Sequence, residues 1–155
     1  MKQMRRKFGT ALVGGTFDEF HKGHRALIMK AFEVGERVMI GLSSDQLARE
    51  LRKNHEVATY EERLRDLRSF LRRQEVFERA KVVPLDTSFG ITLSTTVAEA
   101  LVVSKETEHV GVTINTKREA SGLTPLALVV IALVPAEDYV PISSTRIRHG
   151  EIDRE

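Results

Sequence analysis

The sequence predicts an α/β domain: a doubly wound parallel sheet with helices on both faces. Three observations predict it. Short apolar runs at 8–13, 37–42, 80–85, 101–103 and 126–134 alternate with segments of helical spacing. Gly or Ser/Asp clusters punctuate the runs, as at Gly14-Gly15 and Ser43-Ser44-Asp45. The run at 126–134 is continuously apolar, as central parallel strands covered on both faces are. At 155 residues the chain fits one domain, 1–155, with no internal repeat, linker or low-complexity tract.

Each element has its own signal. The first strand, 8–13, runs into a Gly14-Gly15 turn. Leu27, Ile28, Ala31 and Phe32 give a helix over about 22–34, with Gly35 as its stop. A second strand spans 37–42. Ser44 or Asp45 then N-caps a helix reaching about Lys53. Thr59 with Glu62 three residues on forms a capping box for a helix over 60–73. In that helix Leu64, Leu67 and Leu71 read as core, and the arginines Arg63 to Arg73 as a solvated face. A strand at 80–85, a turn-rich stretch at 86–94 and a short strand at 101–103 follow. The next helix runs from about Lys105 to Ala120 and is closed by Gly122, although β-branched Thr113 and Ile114 suit a helix poorly. The strand at 126–134 is stopped by Pro135, and 143–149 reads as a final short helix stopped by Gly150.

Composition excludes several classes. There is no cysteine, so disulfide frameworks, thiolate metal sites and Cys nucleophiles fall away. The longest apolar run has nine residues, against the roughly 20 a spanning helix needs. The basic start lacks an apolar h-region, so a cytoplasmic protein is expected. Lys+Arg is 24 and Asp+Glu 22, a net charge of only +2. A partner bearing phosphate remains plausible from the local excess of seven bases over three acids in 63–81. That segment has only Phe70 and Phe77 as aromatics, too few for a nucleic-acid stacking surface, so no nucleic-acid partner is expected.

Two turns follow strands and therefore lie where ligands bind in open α/β sheets. The first reads Gly14-Gly15-Thr16-Phe17-Asp18-Glu19-Phe20-His21-Lys22-Gly23-His24. Gly14 and Gly15 permit positive φ and close approach of backbone to a ligand. Gly23 leaves room between two histidines. His21 and His24, three apart at a helix start, share one face beside free N–H groups and the positive end of a dipole. Such a group suits a polyphosphate. It is neither a Walker loop nor a GxGxxG turn, and two histidines without a third ligand do not make a zinc site. Asp18 reads as capping the turn through its own backbone. The second turn, Pro141-Ile142-Ser143-Ser144-Thr145-Arg146-Ile147-Arg148, offers three hydroxyls and the charged fork of Arg148. His55, His109 and His149 take no role.

Thr-Phe-Asp-x-x-His-x-Gly-His after the first strand, with Ile-Ser-Ser-Thr-x-Ile-Arg near the end, resembles the nucleotidyltransferase superfamily with the HxGH signature. Within it the chain is most similar to the archaeal branch of the phosphopantetheine adenylyltransferases. Supporting stretches include Lys30-Ala31-Phe32-Glu33-Val34-Gly35, Tyr60-Glu61-Glu62-Arg63-Leu64 and Gly122-Leu123-Thr124-Pro125-Leu126. The resemblance implies a Rossmann-like nucleotidyltransferase fold and transfer of adenylate from ATP to 4′-phosphopantetheine, with Mg²⁺ accompanying the ATP. It implies direct in-line attack without a covalent enzyme intermediate. It places His21 and His24 on the ATP phosphates and Thr16 beside the attacking phosphate. Gly15, Phe17 and Gly23 border the nucleotide. Ser143, Ser144, Thr145 and Arg148 hold its β- and γ-phosphates.

The chain departs from the wider pattern in two places. Ser104-Lys105-Glu106-Thr107 replaces the Arg-Gly-rich turn of the bacterial branch. Leu51 stands where archaeal relatives often carry Lys, leaving Arg49, Arg52 or Lys53 to supply charge toward the acceptor. Sister enzymes adenylylating nicotinamide mononucleotide or FMN, and a non-catalytic nucleotide or nucleic-acid binder, are the competing readings. Oligomeric state, monomer or small homo-oligomer, is left open.

Overall fold

In the computed structural model, residues 6–20, 22–51 and 56–132 are described. The predicted Pro135 stop and final helix lie outside them. The elements are β1 (Phe8–Gly15), α1 (Lys22–Val34), β2 (Gly35–Ser43), α2 (Asp45–Leu51), α3 (Tyr60–Arg73), β3 (Ala80–Leu85), β4 (Ala100–Ser104), α4 (Glu108–Ala120) and β5 (Ala127–Ile131). The strands form one sheet in the order β3-β2-β1-β4-β5, and every pair is parallel.

The period-2 alternation of the strands sorts side chains onto two cores. Ala11, Val13, Val38, Ile40 and Val102 face Ile28 and Phe32 of α1 and Leu67 and Leu71 of α3. Leu12, Leu101 and Val103 face the other way, against Ile114 of α4 and Leu126. The sheet is therefore covered on both faces, as predicted. Among the described residues, no helix is long and apolar enough to cross a membrane.

Several boundaries move for identifiable reasons. Gly35 does not stop α1 in a left-handed cap; it begins β2 with no intervening loop. A Cβ there would lie 2.9 Å from the Ala11 Cβ and 3.0 Å from the Arg37 carbonyl, so only glycine lets β2 start against β1. The carbonyls at the end of α1 are met by arginine instead. Arg79 donates to Phe32 O at 2.7 Å and Gly35 O at 2.9 Å, and Arg6 to Phe32 O at 3.1 Å.

α4 begins at Glu108, three residues later than the pattern suggests, because Ser104 and Thr107 bond reciprocally across the preceding turn. Thr113 is tolerated in α4 because its hydroxyl donates to the His109 carbonyl at 3.1 Å. Ile114 is core. Gly122, at φ 82°, closes the helix as expected. The run at 126–134 yields the strand Ala127–Ile131, which pairs only with β4 among the described residues and is half-buried beyond Ala127. An apolar run reports cover on both faces, not a central place in the sheet; that place belongs to β1.

The capping box of α3 is present in full. Glu62 N–H donates to the Thr59 hydroxyl at 3.1 Å, and Thr59 N–H to the Glu62 carboxylate at 2.9 Å. Thr59→Ala is expected to lower unfolding free energy by about 1 kcal/mol, read from denaturant titration. The bonds from Thr59 hold the Glu62 carboxyl below its ordinary pKa. A depressed folded pKa means this contribution is full above the unfolded value of 4.5 and is lost as pH falls through the folded value. Glu62→Gln is accordingly expected to flatten the acid limb of stability against pH.

Candidate active site

A cleft of about 430 Å³ opens at the carboxyl ends of the strands. It lies where the strand order splits, with β2 on one side of β1 and β4 on the other. Loops leaving neighbouring strands in opposite directions create a crevice at such a point. Gly14, Gly15, Thr16 and Phe17 line it from β1, Gly23 and His24 from the start of α1, and Ser43 from β2. Leu47 and Leu51 of α2 and Leu85, Phe89 and Ile91 from around β3 form an apolar side. Ser104, Glu106 and Thr107 close the far end at β4.

The structure brings Gly15, Thr16, Phe17, Gly23 and His24 into one cleft. His21, Lys53, Ser143, Ser144, Thr145 and Arg148 lie outside the described residues. Arg49 is exposed on α2 and does not line the cleft; Leu51 of the same helix does. Ser43, Ser104 and Thr107 are polar lining residues that the sequence did not single out, because hydroxyls at strand ends carry no distinctive spacing.

The turn after β1 is built differently from the expectation. Gly14 and Gly15 end the strand, and neither takes positive φ. That conformation falls on Phe17 at φ 51° and Glu19 at φ 50°. A non-glycine residue held there costs roughly 1–3 kcal/mol and persists only where its surroundings fix it. The fixing contacts are visible. The Phe17 ring is buried, and it stands edge-on to His24 with centroids 5.3 Å apart at 86°. A Cβ on Gly15 would come 3.2 Å from that ring, tighter than ordinary contact, so what constrains this position is space rather than φ. Phe20 packs on His24 from a second side, centroids 6.0 Å apart, which limits the tilt of the imidazole. Asp18 does not act only within its turn: it is buried, and its Oδ1 accepts the Ala58 N–H at 3.2 Å, forty residues along the chain.

Arg63 is the largest correction. It is not on a solvated face; its side chain is 1% exposed, whereas Arg65, Arg68, Arg72 and Arg73 are exposed as expected. Its Nη1 donates to Thr16 O at 3.0 Å and to Ser43 O at 2.8 Å. Its Nε donates to Ala58 O at 2.8 Å, and its Nη2 meets Asp45 Oδ1 at 3.3 Å. Burial lowers its pKa from the ordinary guanidinium value, and the Asp45 carboxylate opposes the shift. One signal was available: Arg63 precedes Leu67 by four and Phe70 by seven, which is the buried stripe of the helix.

No group of three or more His, Cys, Asp or Glu able to hold a metal ion occurs among the described residues.

The chain matches the cytidylyltransferase-like family over residues 12–150. It is 45% identical to the phosphopantetheine adenylyltransferase of Methanothermobacter thermautotrophicus, over 97% of this chain and 89% of that one. It is 42% identical to the enzyme of the same name from Pyrococcus furiosus, over 97% and 93%. A crystal structure of an Archaeoglobus fulgidus protein of unknown function superposes with a TM-score of 0.73 at 30% identity, covering 86% of this chain and 99% of that one. With likeness running over nearly the whole chain, this protein belongs to the archaeal-type phosphopantetheine adenylyltransferases of the cytidylyltransferase-like family.

Proposed function

We propose that the cleft transfers the adenylyl group of ATP to 4′-phosphopantetheine, giving dephospho-coenzyme A and pyrophosphate. The observation that carries this reading is the assembly of Gly15, Thr16, Gly23 and His24 in one cleft at the switch point, in a chain of this family. A phosphate oxygen of 4′-phosphopantetheine attacks the α-phosphorus in line. The bond from that phosphorus to the oxygen bridging to the β-phosphorus breaks, and pyrophosphate carries away the electron pair. No protein nucleophile takes part. The protein's contribution is position and charge stabilisation.

His24, its ring packed by Phe17 and Phe20, and His21 of the same His-x-Gly-His motif donate to the ATP phosphates. Thr16, whose hydroxyl donates to Ser43 Oγ at 3.4 Å, brings up the attacking phosphate. Ser143, Ser144, Thr145 and Arg148 hold the β- and γ-phosphates. The apolar side formed by Leu51, Leu85, Phe89 and Ile91 accommodates the uncharged pantetheine arm, whose burial releases water. Mg²⁺ enters with ATP as part of the substrate.

Incubation with ATP, Mg²⁺ and 4′-phosphopantetheine is expected to yield dephospho-coenzyme A in step with pyrophosphate. Turnover of FMN or nicotinamide mononucleotide in its place would reject the reading. His21→Ala is expected to reduce kcat by roughly 100-fold or more while ATP affinity changes far less, because its interaction strengthens as charge develops. Steady-state kinetics beside calorimetric ATP binding separates the two; equal losses in both would assign His21 to binding alone.

A further inference from the structure

We propose that Arg63 is a positioning residue for this transfer, one that touches neither substrate but sets the geometry of the loop that does. The inference rests on the functional reading above. Thr16 and Ser43 both line the cleft; Thr16 follows β1, and Ser43 ends β2. A single Nη1 atom bonds both of their carbonyls, at 3.0 and 2.8 Å. On the other side of the guanidinium, Ala58 O and Asp45 Oδ1 hold its remaining edges. Ala58 in turn donates to Asp18, and Asp45 also accepts the Tyr60 N–H at 2.7 Å. The loop after β1 is thus tied to β2, to α2 and to the start of α3 through one planar group.

The consequence for the cleft follows from peptide geometry. The Thr16–Phe17 peptide is trans, so fixing its carbonyl on Arg63 fixes the Phe17 N–H on the opposite edge. Phe17 is also where the backbone turns left-handed and where the ring meets His24. Arg63 therefore governs the direction of the loop just before the residue that orients the imidazole. Lysine cannot replace it. An ammonium is a point donor, whereas the fork reaches four acceptors in one plane at once.

The test uses the full chain and two readouts. In the 4′-phosphopantetheine assay, Arg63→Lys is expected to lose about 100-fold in kcat with KM for ATP held within about threefold, measured below its Tm and per folded molecule. Hydrogen exchange without substrate is expected to accelerate at 16–20 and 43–45 and to remain unchanged at 9–13. A kcat near that of wild type, a loss seen only as a higher KM, or unchanged exchange at 16–20 would each overturn the proposal. If Arg63→Lys does not fold, Asp45→Asn replaces it. The asparagine oxygen still accepts the Tyr60 N–H but removes the charge beside Nη2. A several-fold loss of kcat with the same local exchange pattern supports the proposal, and unchanged exchange at 16–20 overturns it. Should wild type make no dephospho-coenzyme A, the functional reading fails, and the exchange data still decide whether Arg63 holds the loop.

Discussion

The parallel arrangement of the strands is the constraint on which the rest of the molecule depends. Strands that all run one way all end at one edge, so every loop that leaves a strand end leaves it on the same side. The order β3-β2-β1-β4-β5 then divides those loops at β1. Crossovers of one hand send the chain over one face on the way to β2 and β3 and over the other face on the way to β5. The two cores show the result: α1 and α3 against one set of alternating strand residues, α4 against the other. A crevice at the end of β1 is what remains between the two halves. Gly15, Thr16, Ser43, Ser104 and the start of α1 meet there because the sheet leaves them no other place.

Within that crevice the turn after β1 is held away from its easiest conformation. Two non-glycine residues of the turn, Phe17 and Glu19, sit at positive φ. Local sequence does not favour this, so contacts distant in the chain must stabilise it. Phe17 buries its ring, Asp18 accepts from Ala58, and Arg63 binds Thr16 from α3. Arg63 itself is costly to bury, since desolvation of a permanent charge is offset only when its donors are met. Here its three nitrogens all find partners, three backbone carbonyls and one carboxylate that is about half exposed. Loss of one of these partners would leave an edge of the buried guanidinium unmatched. The turn and its anchor are therefore coupled, and the loop does not relax independently of the core.

This coupling explains what could be read from the sequence and what could not. Thr59 and Glu62 announce the start of α3 because the partners are three residues apart and the rule is local. The alternation of apolar runs gives the sheet because the period is local too. The His-x-Gly-His turn is legible because its donors cluster within four positions. Arg63 and Thr16 are 47 residues apart, and nothing in either neighbourhood names the other. The helical stripe placed Arg63 inward, but charge outweighed position in the reading of that face. Glycines misled in the opposite way. Gly15 and Gly35 suggest backbone freedom, yet at both the decisive quantity is the space a Cβ would need against Phe17 and Ala11. Arg79 does at the end of α1 what a left-handed glycine would have done, and it comes from the turn just before β3.

The described lining of the cleft carries little charge. Among the described lining residues, Glu106 is the single carboxylate and no Lys or Arg appears, although the chain carries 24 basic residues. The exposed arginines of α3 are elsewhere, and Arg63 spends its charge on carbonyls behind the wall. What the described lining presents to a polyphosphate is therefore directional: N–H groups, hydroxyls and an imidazole. Such donors act over short range and only along their bond directions, so an error of an ångström costs them more than it costs a point charge. A site of this kind gains its advantage when the donors already stand where charge will develop and need no reorganisation during reaction. The buried arginine, the crowded glycines and the strained turn serve one requirement. They hold dipoles still.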